Sequence, residues 1–458
     1  VIEPCGRVPR LTSNGYRSAN IVAVVKGNSK VRTRIAGILL AGIAAVAIAA
    51  APSHSYGQSH RHKAAARASE TPLPKQKPSE NRKADSKQPA SKQPAKLERP
   101  EFSAAEEAAA QIPDMPDARF WADSTADFER ALPPQEGPWL ILSTGGEEGA
   151  YGAGFLKGWT ESGTRPQFAA VTGVSTGALM AVYAFAGPKY DEELHTGYTT
   201  VTASDIFEVG ATPESLTDTW PLRQLISKRV TADLLADVAA EYRKGRRLFV
   251  MTTNLDAGRT VVWNMGTIAA HGGESALKLF RQILLASASV PGVFPPVYIK
   301  VEANGRQFDE MHADGGVNGP LFFGPESYLL PGSPKRLPAT SLFVIVNGKL
   351  TADFYMPQRN TAAILGRSIT LALKTGARLE LVLAGAAARR AGIPFNLTYV
   401  DNGFEQVGRG LFDPAYMNAL YDYGLSQARG ENRFHPSQAA GHPSPTASGG
   451  PSGEPVPK

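Results

Sequence analysis

Gly173-Val174-Ser175-Thr176-Gly177 follows the apolar run Phe168 to Val171 and precedes the helix-prone Ala178-Leu179-Met180-Ala181-Val182-Tyr183. A strand that enters a helix through G-x-S-x-G turns too sharply for large neighbours. The serine at the apex then projects its hydroxyl above the helix N-terminus. Ser175 is therefore the candidate nucleophile, flanked by Gly173 and Gly177. With 45 glycines in the chain the pentapeptide also fits an ordinary strand-turn-helix, so its surroundings must decide.

Upstream, Trp139-Leu140-Ile141-Leu142 reads as a buried strand ending in the loop Ser143-Thr144-Gly145-Gly146-Glu147-Glu148-Gly149-Ala150-Tyr151-Gly152, before a helical stretch from Phe155 to Trp159. Such a loop aims bare backbone N–H groups at one point. Acyl transfer needs them for the oxyanion of its tetrahedral intermediate, where one donor is worth about 2.7–4 kcal/mol. The same geometry cradles phosphate, but the loop lacks the P-loop lysine and the G-x-G-x-x-G spacing.

Downstream, the alternating Gln307-Phe308-Asp309-Glu310-Met311-His312-Ala313 delivers Asp314 into Gly315-Gly316-Val317-Asn318-Gly319. An aspartate before two glycines holds its carboxylate where other groups approach closely, or else forms a plain Asx-turn.

A glycine-rich loop, then G-x-S-x-G, then D-G-G, in that order, resembles the patatin-like phospholipase family of lipid acyl hydrolases. The likeness continues in Thr253-Asn254-Leu255-Asp256-Ala257-Gly258-Arg259 and in Leu284 to Pro296, and spans Pro138 to Pro320, reaching toward Gly424. The resemblance implies a three-layer α/β/α sandwich with a mainly parallel central sheet. It also implies a dyad of Ser175 as nucleophile and Asp314 as base, with Gly145, Gly146 and Thr176 as oxyanion donors and Gly149, Gly315 and Gly316 as motif positions. No metal or cofactor is implied. Where the family commonly has three glycines and then a basic residue, this chain has Thr144-Gly145-Gly146-Glu147-Glu148. The acid at Glu148 bears on head-group preference rather than on acyl transfer.

A Ser-His-Asp triad is the alternative mechanism, and it needs a histidine on a loop after the acid. His435 and His442 sit in a Pro/Ser/Gly-rich tail, whereas His195 and His271 precede Asp314. His312 shares a strand face with Asp314 and reads as a structural or tuning residue.

Composition partitions the chain. Residues 1–100 carry 18 Lys+Arg against 5 Asp+Glu, leaving 30 against 37 for the rest, so the pI of about 9.2 belongs to the N-terminal part. An acidic folded part argues against nucleic-acid binding. Lys26, Lys30, Arg32 and Arg34 lead into apolar Ile35 to Ala51, a signal-peptide pattern. The expectation is export to the periplasm or medium, with anchoring at the inner membrane by residues 35–51 as the alternative. We expect a leader over 1–57, a Pro/Ala/Lys-rich disordered tether over 58–116, a catalytic domain over 117–432 and a disordered tail over 433–458. The single cysteine, Cys5, precludes an internal disulfide.

Further core strands are expected at Leu248 to Met251, Val261 to Trp263 and Leu342 to Val346, with a long helix from Ala362 to Ala391. No histidine spacing suggests a metal site. The function expected is hydrolysis of a lipid ester or phospholipid through an acyl-serine, with transient membrane-surface contact; the alternative is a non-catalytic lipid- or protein-binding module. Leu321-Phe322-Phe323, Tyr328-Leu329-Leu330 and Val293-Phe294 read either as acyl-groove or bilayer contacts or as core.

Overall fold

The computed structural model describes residues 99–435, apart from 211–212 and 355. The expected leader, the export signal over 35–51, Cys5, His442, the tether up to 98 and the tail from 436 lie outside the described residues.

Among the described residues, nine strands form the central sheet: Arg119–Trp121 (β1), Gly137–Leu142 (β2), Ala170–Val174 (β3), Arg247–Asn254 (β6), Arg259–Asn264 (β7), Val297–Ala303 (β8), Arg306–Asp314 (β9), Ala339–Val346 (β10) and Phe395–Tyr399 (β11). A separate ribbon joins Glu208–Val209 (β4) to Thr217–Asp218 (β5). The main path runs β1-β7-β6-β3-β2-β10-β11, and its centre, from β6 through β3, β2 and β10 to β11, is parallel throughout. β7 and the β8–β9 hairpin add antiparallel pairings at β6.

Alternation along each strand makes the two apolar faces. Leu140, Leu142, Val171, Leu248 and Val250 pack with helices Gly149–Glu161, Thr176–Ala186, Ala232–Arg243 and Gly273–Ser287 on one side. Trp139, Ile141, Phe249, Met251, Val344 and Leu397 pack on the other with helix Thr361–Ala391 and the segment around Phe322. Near-continuous burial of β2 and β3 is what a sheet covered on both faces requires. This is the α/β architecture with a mostly parallel sheet expected from the sequence.

Three expectations change. Order begins before residue 117: Ser103 caps helix Ala104–Ala109, Phe102 stacks on Phe308 with centroids 4.4 Å apart, and Ile112 and Met115 are buried, so the described end of the tether is part of the fold. Order likewise runs into the tail, where Phe434 packs against Trp159 and the His435 N–H donates to Leu397 O at 2.7 Å. The helix after the glycine-rich loop starts at Gly149 rather than Phe155. Its glycines serve close packing: a Cβ on Gly154 would overlap the Tyr421 carbonyl, and one on Gly424 would overlap that of Tyr151, so helices Gly149–Glu161 and Pro414–Arg429 pass backbone against backbone.

Leu321, Phe322, Phe323 and Tyr328 are core, not bilayer contacts. All four are buried, and Phe128 meets the rings of Phe322 and Tyr328 edge-on at 6.1 and 5.3 Å. Phe294 is buried as well.

Candidate active site

Ser175 follows the last residue of β3 and precedes helix Thr176–Ala186, with φ 56° and ψ −123°. A non-glycine residue there is strained by about 1–3 kcal/mol, and it persists only where its surroundings over-determine it. They do so here. The Ser175 N–H donates to Ser287 Oγ at 3.0 Å, and the Ser287 hydroxyl donates to Met251 O at 2.7 Å, fastening the elbow to β6. A Cβ on Gly173 would overlap the Gly177 carbonyl, and one on Gly177 would lie 2.5 Å from both Leu142 O and Ser143 O. Both motif glycines are thus demanded by backbone crossing backbone.

Asp314 ends β9. Its N–H donates to Ser289 O at 2.8 Å, and its carbonyl accepts from the Thr253 hydroxyl at 2.9 Å. The side chain accepts from the Gly316 N–H at 2.7 Å, and the Ser175 hydroxyl lies near enough to favour its charged form. The Asx-turn therefore leaves the same carboxylate close to the Ser175 hydroxyl. Ser175 is 6 % exposed and Asp314 4 %. Burial pushes the Asp314 pKa up to about 7, against the opposing pull of the Ser175 and Gly316 hydrogen bonds. A Cβ on Gly315 would lie 2.6 Å from Met251 O, so the turn after the acid also depends on glycine.

The loop from Ser143 to Glu148 lies against this pair. A Cβ on Gly149, where the next helix starts, would overlap Thr176 Oγ1. The Thr144 N–H is engaged by Pro320 O at 3.0 Å, so replacing glycine by threonine there removes no free donor. Among the described residues, no acceptor pairs with the N–H groups of Gly145, Gly146 or Thr176. Gly146 has φ 56°, and Thr176 opens a helix whose first N–H groups have no intrahelical partner.

Glu147 and Glu148 turn away from Ser175 and Asp314. Glu147 accepts from the Phe412 N–H, and burial raises its pKa. Burial likewise pushes Glu148 up to about 7, partly offset by the nearby Lys374 and Lys349. Glu147 and Asp353 act on Glu148 in the opposite sense to the lysines, so the acid that stands where the family commonly has a basic residue lies among charges of both signs.

His312 takes another role. Trp263 Nε1 donates to Thr252 Oγ1 at 2.8 Å, and Thr252 Oγ1 and His312 Nδ1 are 2.9 Å apart; His312 Nε2 is 3.0 Å from Glu310, which also takes both guanidinium nitrogens of Arg119. Burial lowers the His312 pKa, so the ring is neutral, donating through Nε2 and accepting at Nδ1. Burial works against charge on Glu310, but the bonds from His312 and Arg119 hold its carboxyl well below the usual range. Both ring nitrogens are occupied, and His312 serves the β6–β9 contact. Among the described residues no cluster of His, Cys, Asp and Glu is arranged to hold a metal ion.

Asn347, just past β10, escaped the sequence reading. Its N–H donates to Ser143 Oγ at 2.8 Å and its Nδ2 to Ser143 O at 2.9 Å, while a Cβ on Gly145 would lie 2.6 Å from Asn347 Cβ. An isolated asparagine after a strand carries no local signature. Ser287 and Ser289 lie in the Leu284 to Pro296 segment noted above, though their bonds to Ser175 and Asp314 were not foreseen.

Residues 140–324 match the family described as patatin-like phospholipase. No curated protein matches the chain. Among solved structures, VipD from Legionella pneumophila aligns over 68 % of this chain and 70 % of its own, with 12 % identity and a TM-score of 0.33.

Proposed function

Starting from the patatin-like phospholipase domain that the chain carries at residues 140–324, a family of lipid acyl hydrolases, we propose that this protein cleaves a carboxylic ester of a lipid through a Ser175–Asp314 dyad. The observation that carries the reading is the Ser175 hydroxyl beside the buried Asp314 carboxyl, whose pKa burial pushes up to about 7. A carboxylate near its usual pKa of about 4 is a weak base for a serine hydroxyl; one near 7 is matched to neutral pH.

In the acylation step Ser175 Oγ forms a bond to the ester carbonyl carbon as its proton passes to Asp314. The carbonyl oxygen becomes an oxyanion, received by the N–H groups of Gly145, Gly146 and Thr176. Collapse breaks the bond to the leaving alcohol, which takes the proton from Asp314 and departs. Water then attacks the acyl-serine, Asp314 accepts its proton, and the second collapse releases the fatty acid and returns the proton to Ser175 Oγ. The burial of both residues supports this reading, since water exclusion strengthens each of these interactions.

The test is hydrolysis of a medium-chain p-nitrophenyl ester and of a phospholipid by wild type, Ser175→Ala and Asp314→Asn, with fluorophosphonate labelling alongside. Turnover and labelling that both variants lose support the dyad. An inert wild type that takes up no label favours a binding module instead.

A further inference from the structure

Helix Thr361–Ala391 covers one face of the sheet with Ala377, Leu381, Ala384 and Ala388. Its opposite side is apolar as well. Ile364, Leu365, Leu371, Leu379, Val382 and Leu383 are between 36 % and 61 % exposed. At 3.6 residues per turn these six fall within an arc of about 120° that points away from the buried stripe. Phe354 and Met356, on the approach to the helix, are 92 % and 77 % exposed. The outer side of a helix on a soluble face is ordinarily polar, and isolated exposed leucines need no explanation; a stripe over five turns does.

Charge points the same way. The only acid in the helix, Glu380, is turned inward, where it accepts from the Leu321 N–H at 2.9 Å, and burial raises its pKa to about 8. Arg378, Arg389 and Arg390 are exposed, as are Ser368 and Thr375, so the outer side offers arginine, hydroxyl and apolar side chains and no carboxylate. That composition suits a helix lying in the head-group region of an anionic lipid surface. No helix among the described residues is long and apolar enough to cross a membrane, and the arrangement here is one of lying on the surface.

The helix also touches the dyad loop. A Cβ on Gly316 would lie 3.2 Å from Leu373 Cδ2, and one on Gly376 would lie 3.3 Å from Pro320. The outer stripe is therefore separated from the turn after Asp314 by one helix thickness, about 10 Å.

We propose that the outer stripe of helix Thr361–Ala391, with Phe354 and Met356, docks the protein on the surface of an anionic phospholipid bilayer, beside the mouth of its own site. The proposal rests on reading that site as one for lipid esters. The docking face sets which substrates reach the dyad: those presented at an aggregated surface.

The test uses the full chain with Cys5→Ser, which removes its only cysteine, and an NBD fluorophore attached at Leu379→Cys. A control probe sits at Lys300→Cys on β8, where the side chain is 59 % exposed. Vesicles of diether phosphatidylglycerol and phosphatidylcholine cannot be deacylated, so the readout is independent of turnover. Emission from position 379 should rise severalfold on vesicle addition and be quenched by nitroxide-labelled acyl chains, with position 300 unchanged. Adding Leu371→Glu and Val382→Glu should abolish the rise. A silent probe at 379 overturns the proposal. So does a rise that follows protein concentration without lipid, which would make the stripe a contact between copies of the chain. Loss of ester hydrolysis with docking intact would instead count against the proposed function alone.

Discussion

Ser175 and Asp314 meet although the strands that carry them never pair with each other. β6 holds both: Val174 at the end of β3 is in register with Met251, and Asp314 at the end of β9 with Thr252, the next residue along the same edge. The parallel and antiparallel neighbours abut at that point, so the two side chains come together where one pairing gives way to the other. If the contact is the catalytic dyad, Asp314→Asn should lower kcat by about 10²–10⁴-fold, since an amide cannot take the serine proton. Steady-state kinetics on the soluble ester reads this directly. A loss of less than tenfold would assign the base elsewhere.

The strained Ser175 backbone makes a separate prediction. Ser175→Ala and Ser175→Gly both remove the hydroxyl, but only glycine accommodates φ 56° without penalty. The glycine variant should be the more stable of two inactive proteins, by about 1 kcal/mol. Equal denaturant midpoints would mean that Ser287 and Gly177 do not hold the elbow under strain.

The pH dependence follows from burial of Asp314. If Asp314 is the base, activity requires its carboxylate ionised, so kcat/KM should fall about tenfold per pH unit below 7. Stability moves in the opposite sense. The folded state holds this proton up to about pH 7, whereas the unfolded chain releases it near 4, so the fold binds more protons across that window and loses stability as pH rises through it. Asp314→Asn lacks that loss. Its stability relative to wild type should therefore improve between pH 4 and 7 and level off above, by on the order of 4 kcal/mol. A difference that is flat with pH would show that Asp314 titrates normally.

His312 separates a dyad from a triad. His312→Ala leaves Thr252 and Glu310 without their partner in a closed network, and should cost about 2–4 kcal/mol in denaturant unfolding. The pH at half-maximal kcat/KM should stay where it is in wild type. A displaced pH profile with unchanged stability would return His312 to the chemistry.

Ser175 and Asp314 were legible because their neighbours are sterically forced: Gly173, Gly177 and Gly315 leave no room for a Cβ, so the letters around the site are prescribed by local geometry. The same letter misled nearby. Gly149 and Gly152 read as loop because glycine is a poor helix former, yet the helix starts at Gly149. Burial against other segments was the harder quantity. Leu321-Phe322-Phe323 face the sheet, while Leu365 and Leu379, read as part of an ordinary helical pattern, face solvent; one sequence cannot say which of two apolar stripes finds a partner.

Asn347 illustrates what only the assembled fold reveals, and it yields the last prediction. Ser143 N–H donates to Ile345 O and the Ser143 hydroxyl to Thr144 O, while Asn347 holds Ser143 through both its backbone N–H and its side-chain amide. The peptides leading to Gly145 are thus held in place by Asn347. Asn347→Ala keeps the Cβ against Gly145 but leaves Ser143 O unpaired, allowing the two glycine donors to drift. A shift of about 1 Å can cost 10²-fold, so kcat should fall about 10–100-fold with KM nearly constant, and fluorophosphonate labelling should slow in parallel. The pH profile, which belongs to Asp314, should not move. A lowered Tm with kcat and labelling unchanged would mean that Asn347 supports the fold without positioning the oxyanion loop.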